Sequence, residues 1–150
     1  MKLRFIWVGK TRDGKWKALQ EEYLQRLSHF AKWEIVEIRE SDRHEGPDIE
    51  GERILSALNQ RTFAVLLDVN GEAISSTGLA DWLEGWQNRG LKEVSFVIGG
   101  AEGVSRRVAE KVDISLSLSF LTFTHEMARV ILLEQLYRAY TIIKGFPYQK

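Results

Sequence analysis

Phe96-Val-Ile-Gly-Gly-Ala-Glu-Gly103 is the stretch that decides the fold class. A β-branched apolar run, Val94 to Ile98, ends in Gly99-Gly100 and reopens through Gly103, the pattern of a buried strand closing in a tight turn. Glycine has no Cβ to keep a ligand away and tolerates positive φ, so such a turn can bring bare backbone close to a bound group. The same turn also occurs in α/β proteins that bind nothing there. Upstream, Phe63 to Val69 has the same apolar, β-branched character, as expected for central strands of a mostly parallel sheet covered on both faces.

Outward from these strands the chain alternates strand and helix. Leu3 to Val8 reads as a buried strand, and Lys15 to Phe30 as an amphipathic helix with Trp16, Leu19, Tyr23 and Leu27 at helical spacing. Glu34 to Ile38 reads as a strand and Ser41 to Pro47 as a polar, mobile loop. A helix is expected from about Ile49 to Leu58, and another through Trp82 and Trp86 with its N-cap among Ser75, Ser76 and Thr77. This order predicts one three-layer α/β domain over residues 1–150, with ligands at the carboxyl ends of the strands, where Asp68, Gly99 and Gly100 lie. Serine alternates with leucine from Ser115 to Ser119, a half-buried strand leading through Phe120-Leu-Thr-Phe123 to Thr124, the N-cap of a last helix over His125 to Lys144. That helix is apolar on more than one stripe, so a second copy is expected to cover part of it.

Composition narrows the function classes. The 150 residues contain no cysteine, which removes disulfides, thiolate metal sites and a Cys nucleophile. His29, His44 and His125 have no ligand spacing, so no metal is expected. No run is long enough for a membrane span or a signal-peptide core, and the expectation is a soluble, cytoplasmic protein with no membrane partner. Lys plus Arg and Asp plus Glu are both 21, so any nucleic-acid contact must come from local patches. Two are visible: Lys10, Arg12, Lys15 and Lys17, and Arg129, Arg138, Lys144 and Lys150.

Taken together, FVIGGAEG, LSLSFLTFTHEMARV, EQLYRAY and the terminal Gly145-Phe-Pro-Tyr-Gln-Lys150 resemble the ribosomal RNA large-subunit methyltransferase H family of the SPOUT class. The similarity runs from Met1-Lys-Leu-Arg-Phe-Ile-Trp-Val-Gly-Lys10 to the end. It implies an α/β fold with a C-terminal trefoil knot, S-adenosyl-L-methionine as cofactor, and methylation of N3 of a pseudouridine in large-subunit ribosomal RNA. The substrate would be the assembled ribosome, and the enzyme a homodimer. It further implies cofactor contacts from Leu67, Gly99, Gly100, Gly103, Leu118, Ser119, Phe120, Leu121, Thr122 and Phe123. From the glycine turn itself, a side chain at Gly100 is expected to fill the space of the adenosyl group. Candidates for catalysis are His125, Arg129, Arg138 and Tyr148: the arginines to hold a phosphate or stabilise a uracil anion, the histidine as a titratable group. His125 could equally only cap its helix. Where the family has histidine, this chain has Gln149, which cannot accept a proton near neutrality. Two other functions fit parts of the chain: an RNA- or ribosome-binding protein of the same fold, and a flavodoxin-like nucleotide binder.

Overall fold

Five parallel strands and five helices alternate through the computed structural model, which describes residues 1–42 and 44–148. In chain order these are β1 (Lys2–Val8), α1 (Gly14–Leu27), β2 (Trp33–Ile38), α2 (Pro47–Ala57), β3 (Phe63–Ala73), α3 (Ser76–Asn88), β4 (Glu93–Ile98), α4 (Arg106–Lys111), β5 (Ile114–Ser117) and α5 (His125–Lys144). The sheet order is β2-β1-β4-β3-β5, every pair parallel. The α/β sandwich expected from the sequence is the fold found.

Strand alternation explains the layers. Leu3, Phe5 and Trp7 of β1, with Val94, Phe96 and Ile98 of β4, point to the face covered by α1, α3 and α5, where Leu24, Leu83, Leu132 and Leu136 complete the larger core. Ile6, Val8 and Val97 point the other way, onto Ile54 of α2 and Val108 of α4. Both faces are covered, and the buried polar residues on the second face are partnered: Arg4 donates to the Ala57 carbonyl at 2.8 Å and Ser95 shares a hydrogen bond with Thr62 at 2.8 Å.

Helix α4 has no counterpart in the sequence reading, α1 ends at Leu27 rather than Phe30, and strands β3 and β5 depart from expectation. β5 is four residues long and ends before the Ser119 to which the serine alternation runs, because its ladder to β3 stops at Ser117. Meanwhile β3 runs on to Ala73 with a break in register between Leu67 and Glu72, both of which pair with Leu116. Asp68 to Gly71 bulge out between them, tied by the Asn70 N–H donating to Asp68 Oδ1 at 2.9 Å. A Cβ on Gly71 would stand 2.6 Å from the Ser115 carbonyl carbon, so only glycine lets the two strands close again after the bulge. The segment expected to be a mobile loop is tied on both sides: Glu45 pairs with Arg39 and Arg53, and Glu50 accepts from the Ser41 N–H and hydroxyl.

The last helix is covered more completely than its sequence suggests. Leu132, Leu133 and Leu136 are buried in the core shared with the sheet, α1 and α3 of the same chain, and Val130 is buried too; Ile131 is only partly covered. Three stripes are satisfied internally, because α5 lies in the groove between two helices rather than on a flat sheet. The outward strip that remains is Met127, Ile131, Glu134 and Arg138, at spacings of three and four residues.

Candidate active site

The carboxyl ends of β3, β4 and β5 and the first turn of α5 enclose an open cleft of about 870 Å³. Thr124 caps α5 through its hydroxyl, which accepts from the Met127 N–H at 3.3 Å, so the helix starts at the cleft and presents His125 and Ala128 to it. Opposite, Leu118 to Phe123 cross the opening without regular secondary structure, so their main-chain polar groups are not committed to a ladder. Serine side chains shape that crossing: Ser117, buried, donates to the Ser119 carbonyl at 3.1 Å, and Ser119 Oγ accepts from the Leu121 N–H at 3.0 Å. The serine alternation thus serves a turn beyond the strand as well as the strand itself.

Three glycines serve the turn after β4 in different ways. Gly103 has φ of 80°, a left-handed conformation that other residues adopt at a cost. A Cβ on Gly99 would lie 2.9 Å from the Gly103 carbonyl oxygen and 2.7 Å from Val104, so the hairpin-like closure, in which the Gly103 N–H donates to Gly100 O at 3.0 Å, needs a bare residue there. At Gly100 the added Cβ would meet Glu50 Oε1 at 2.9 Å and Val8 at 3.4 Å. That direction faces α2 and β1, so the expectation that a side chain at Gly100 fills the adenosyl space is corrected: it would instead displace Glu50.

Of the expected contact residues, Leu67, Gly99, Gly100, Gly103, Leu118, Ser119, Leu121, Thr122 and Phe123 all line the cleft. Phe120 does not; it and Leu121 stand 77% and 74% exposed at the tip of the crossing. Asp68 and Val69 of the bulge and Glu102 of the turn also line it. A second, more polar cavity of about 460 Å³ shares Gly100 to Gly103 and His125 and is otherwise bounded by Val8, Glu40, Ser41, Asp42, Glu45 and Glu50. The acids of this cavity escaped sequence reasoning. They sit on α2 and the segment before it, which nothing local marks as lying beside β4.

The four catalytic candidates separate. His125 borders both cavities. Arg129, one turn on, is wholly buried and lines neither. Its Nη2 donates to the carbonyls of Val8 (2.6 Å) and Gly9 (3.2 Å), its Nη1 donates to Thr11 Oγ1 (2.9 Å), and the guanidinium stands 4.9 Å from the Trp7 ring centroid. Burial pulls its pKa down, and its Nε has no partner among the described residues. In this structure Arg129 clamps the end of β1 and cannot also reach a phosphate in the cleft.

Arg138 and Tyr148 lie together elsewhere. Arg138 donates through Nε (3.0 Å) and Nη2 (2.5 Å) to Glu134 Oε1, which also accepts from the Tyr148 hydroxyl at 3.1 Å. The guanidinium is 5.0 Å from the Tyr148 ring centroid, and Tyr148 packs edge-on against Tyr137. Gly145, left-handed at φ 70°, ends α5 and returns the tail onto the helix. The hydrogen bond to Glu134 holds Arg138 firmly protonated, while burial first and its polar neighbours second push the Tyr148 phenol up to about 12. Tyr148 is therefore a donor and not a base at physiological pH. Glu134 was missed in the sequence, although its spacing of four from Arg138 is the signal of an ion pair on a helix. Thirteen residues of α5 separate His125 from Arg138, about 20 Å along the helix axis. Gln149, the expected departure from the family's tail, lies outside the described residues.

Residues 1–149 match a family described as Predicted SPOUT methyltransferase. This chain belongs to the SPOUT methyltransferase family. Among curated relatives, proteins named ribosomal RNA large subunit methyltransferase H are similar over their whole length. That of Gloeobacter violaceus is 42% identical, covering 99% of this chain and 98% of its own. Those of Anaeromyxobacter sp. and Streptococcus pneumoniae are 40% and 36% identical, with full coverage of both chains. Among the described residues no group of three His, Cys, Asp or Glu side chains could hold a metal, and no helix is long and apolar enough to cross a membrane.

Proposed function

We propose that this protein transfers a methyl group from S-adenosyl-L-methionine to N3 of a pseudouridine in large-subunit ribosomal RNA, acting on assembled ribosomes in the cytoplasm as a homodimer whose C-terminal part is threaded as a trefoil knot. The observation that carries the reading is the 870 Å³ cleft, joined to the names its relatives bear. Its chemistry suits the donor: Leu67, Leu118 and Phe123 offer apolar walls to a purine, the crossing offers main-chain groups outside any ladder, and Asp68 and Glu102 favour a cationic ligand. The sulfonium of the donor supplies an electrophilic methyl group. What remains for the chain is to align the acceptor nitrogen, exclude water and deal with the N3 proton.

The division of candidates over 20 Å is the reason for a dimer. A two-fold axis across antiparallel α5 helices that brings His125 of one copy to Arg138 of the other passes between positions 131 and 132, on the partly exposed strip that contains Ile131. Arg138, kept charged by Glu134, then stabilises the uracil anion, and Tyr148 donates to it, at a cleft built by the partner. Arg129 positions the β1 end and takes no direct part.

Titration calorimetry followed by methyl transfer to ribosomes tests the whole reading. S-adenosyl-L-methionine is expected to bind, FMN and ATP not, and tritiated methyl to appear in large-subunit RNA. Binding of FMN or ATP alone would move the protein to another class; ribosome binding without transfer would make it a binding protein. The Gln149→His variant is expected to change the single-turnover rate by less than about tenfold, roughly 1.4 kcal/mol of barrier, because glutamine reproduces the hydrogen bonds of a neutral imidazole. A hundredfold gain with a new pH dependence near neutrality would instead place a general base at this position.

A further inference from the structure

The structure treats the two basic clusters of the sequence very differently. In the C-terminal one, Arg129 is spent on main-chain carbonyls and Arg138 on Glu134. In the first, Lys10, Arg12, Lys15 and Lys17 are all exposed, and the three lysines form no ion pair among the described residues. Asp13, the one acid between them, is turned to its own helix and accepts the Lys15 N–H at 2.8 Å. Arg12 places the cluster at the site. Its main-chain N–H donates to Glu126 Oε1 at 2.5 Å, next to His125, and its guanidinium comes within 3.9 Å of Glu40, which bounds the polar cavity.

The other side of that mouth is acidic: Glu40, Asp42, Glu45, Glu50 and Glu102 line the polar cavity. A polyanion approaching this electroneutral protein meets lysines with no ion pair among the described residues along the β1–α1 connection and, at that wall, five carboxylates against the two guanidiniums of Arg39 and Arg53 on Glu45. We infer that Lys10, Arg12, Lys15 and Lys17 form the surface that seats the phosphates of the RNA substrate, and that the acidic wall opposite fixes the direction from which the strand enters. This deepens the proposed function and rests on it.

The experiment uses the full-length protein and 70S ribosomes from cells lacking this methyl transfer. Lys10→Gln, Lys15→Gln and Lys17→Gln are combined and compared with a control triple of exposed cations elsewhere, Arg61→Gln, Arg106→Gln and Lys111→Gln. Ribosome affinity of the first triple is expected to fall about 10- to 100-fold near 0.1 M KCl, and the slope of log affinity against log salt to shrink by about 2 to 3, one phosphate per lysine. Cofactor affinity in calorimetry stays at the wild-type value, because none of the three lines the cleft. If the first triple matches the control in affinity and slope, the surface is idle and the inference is wrong, while the proposed function stands. A wild-type protein that binds cofactor but neither binds nor methylates ribosomes would overturn the substrate and this surface together.

Discussion

Mixing Arg138→Ala protein with Ala128→Trp protein is expected to restore methyl transfer that neither supports alone. Each variant ruins a different half of the site. Ala128 lines the cleft one turn beyond His125, and an indole there fills the space of the ligand; removing the Arg138 guanidinium leaves the developing anion without its cation. Each homodimer then carries two defective sites, and activity should fall at least a hundredfold, about 2.7 kcal/mol of barrier. In a dimer with shared sites, a mixed pair has one site in which both defects meet and one in which neither is present. Random reassortment makes half the dimers mixed, so recovery should approach about a quarter of wild type. Activity in the mixture no greater than the average of the two variants would show that each chain builds its site alone, and the 20 Å separation along α5 would then rule Arg138 and Tyr148 out of the chemistry. Ile131→Glu is the matching control: a carboxylate on the proposed axis should yield a monomer in sedimentation, and that monomer should be inactive.

Replacing Arg129 by alanine is expected to destabilise the protein by about 3 kcal/mol, read as a lower midpoint in urea. The loss has two parts. Val8 O, Gly9 O and Thr11 Oγ1 give up their donors, and a cavity opens beside Trp7 in one of the most tightly enclosed parts of the chain. Arg129→Met separates the two, because it fills most of the volume and removes a buried charge that forms no ion pair among the described residues; it should cost about half as much. Equal midpoints for wild type and the alanine variant would mean that the clamp is not holding the β1 end, and would reopen a role for Arg129 at the substrate.

These two residues also mark the limit of what the sequence discloses. Both stand in one helix, both are arginines in an apolar setting, and from the chain alone both invite the same functional reading. One is a structural clamp whose acceptors lie some 120 residues away, and the other sits in a three-residue cluster with Glu134 and Tyr148. Local pattern carries no information about which carbonyls a guanidinium will find.

Where structure is made by neighbours in sequence, the reading was close. The extent of α5, from its Thr124 cap to its left-handed Gly145, follows from capping chemistry confined to one turn at each end. The strands β1 and β4 were found within a residue, because their apolar runs, Phe5 to Val8 and Phe96 to Ile98, have few other ways to satisfy a backbone covered on both faces. The short α4 was missed: of Arg106 to Lys111 only Val108 is buried, too little to show a helical period. The bulge at Asp68 to Gly71 was missed as well, since it arises from the pairing of β3 with a strand about fifty residues on. By itself, then, the sequence determined the alternation of strand and helix, the caps, the glycine turn and the family. Only the tertiary structure decided that the serine run shapes a crossing, that Gly100 faces Glu50, that Arg129 and Arg138 are spent on partners while Lys10, Lys15 and Lys17 form no ion pair among the described residues, and that His125 and Arg138 stand about 20 Å apart. The reason is physical: periodicity and capping act over three or four residues, whereas burial, charge pairing and the walls of a cleft depend on which distant segments the sheet order brings together.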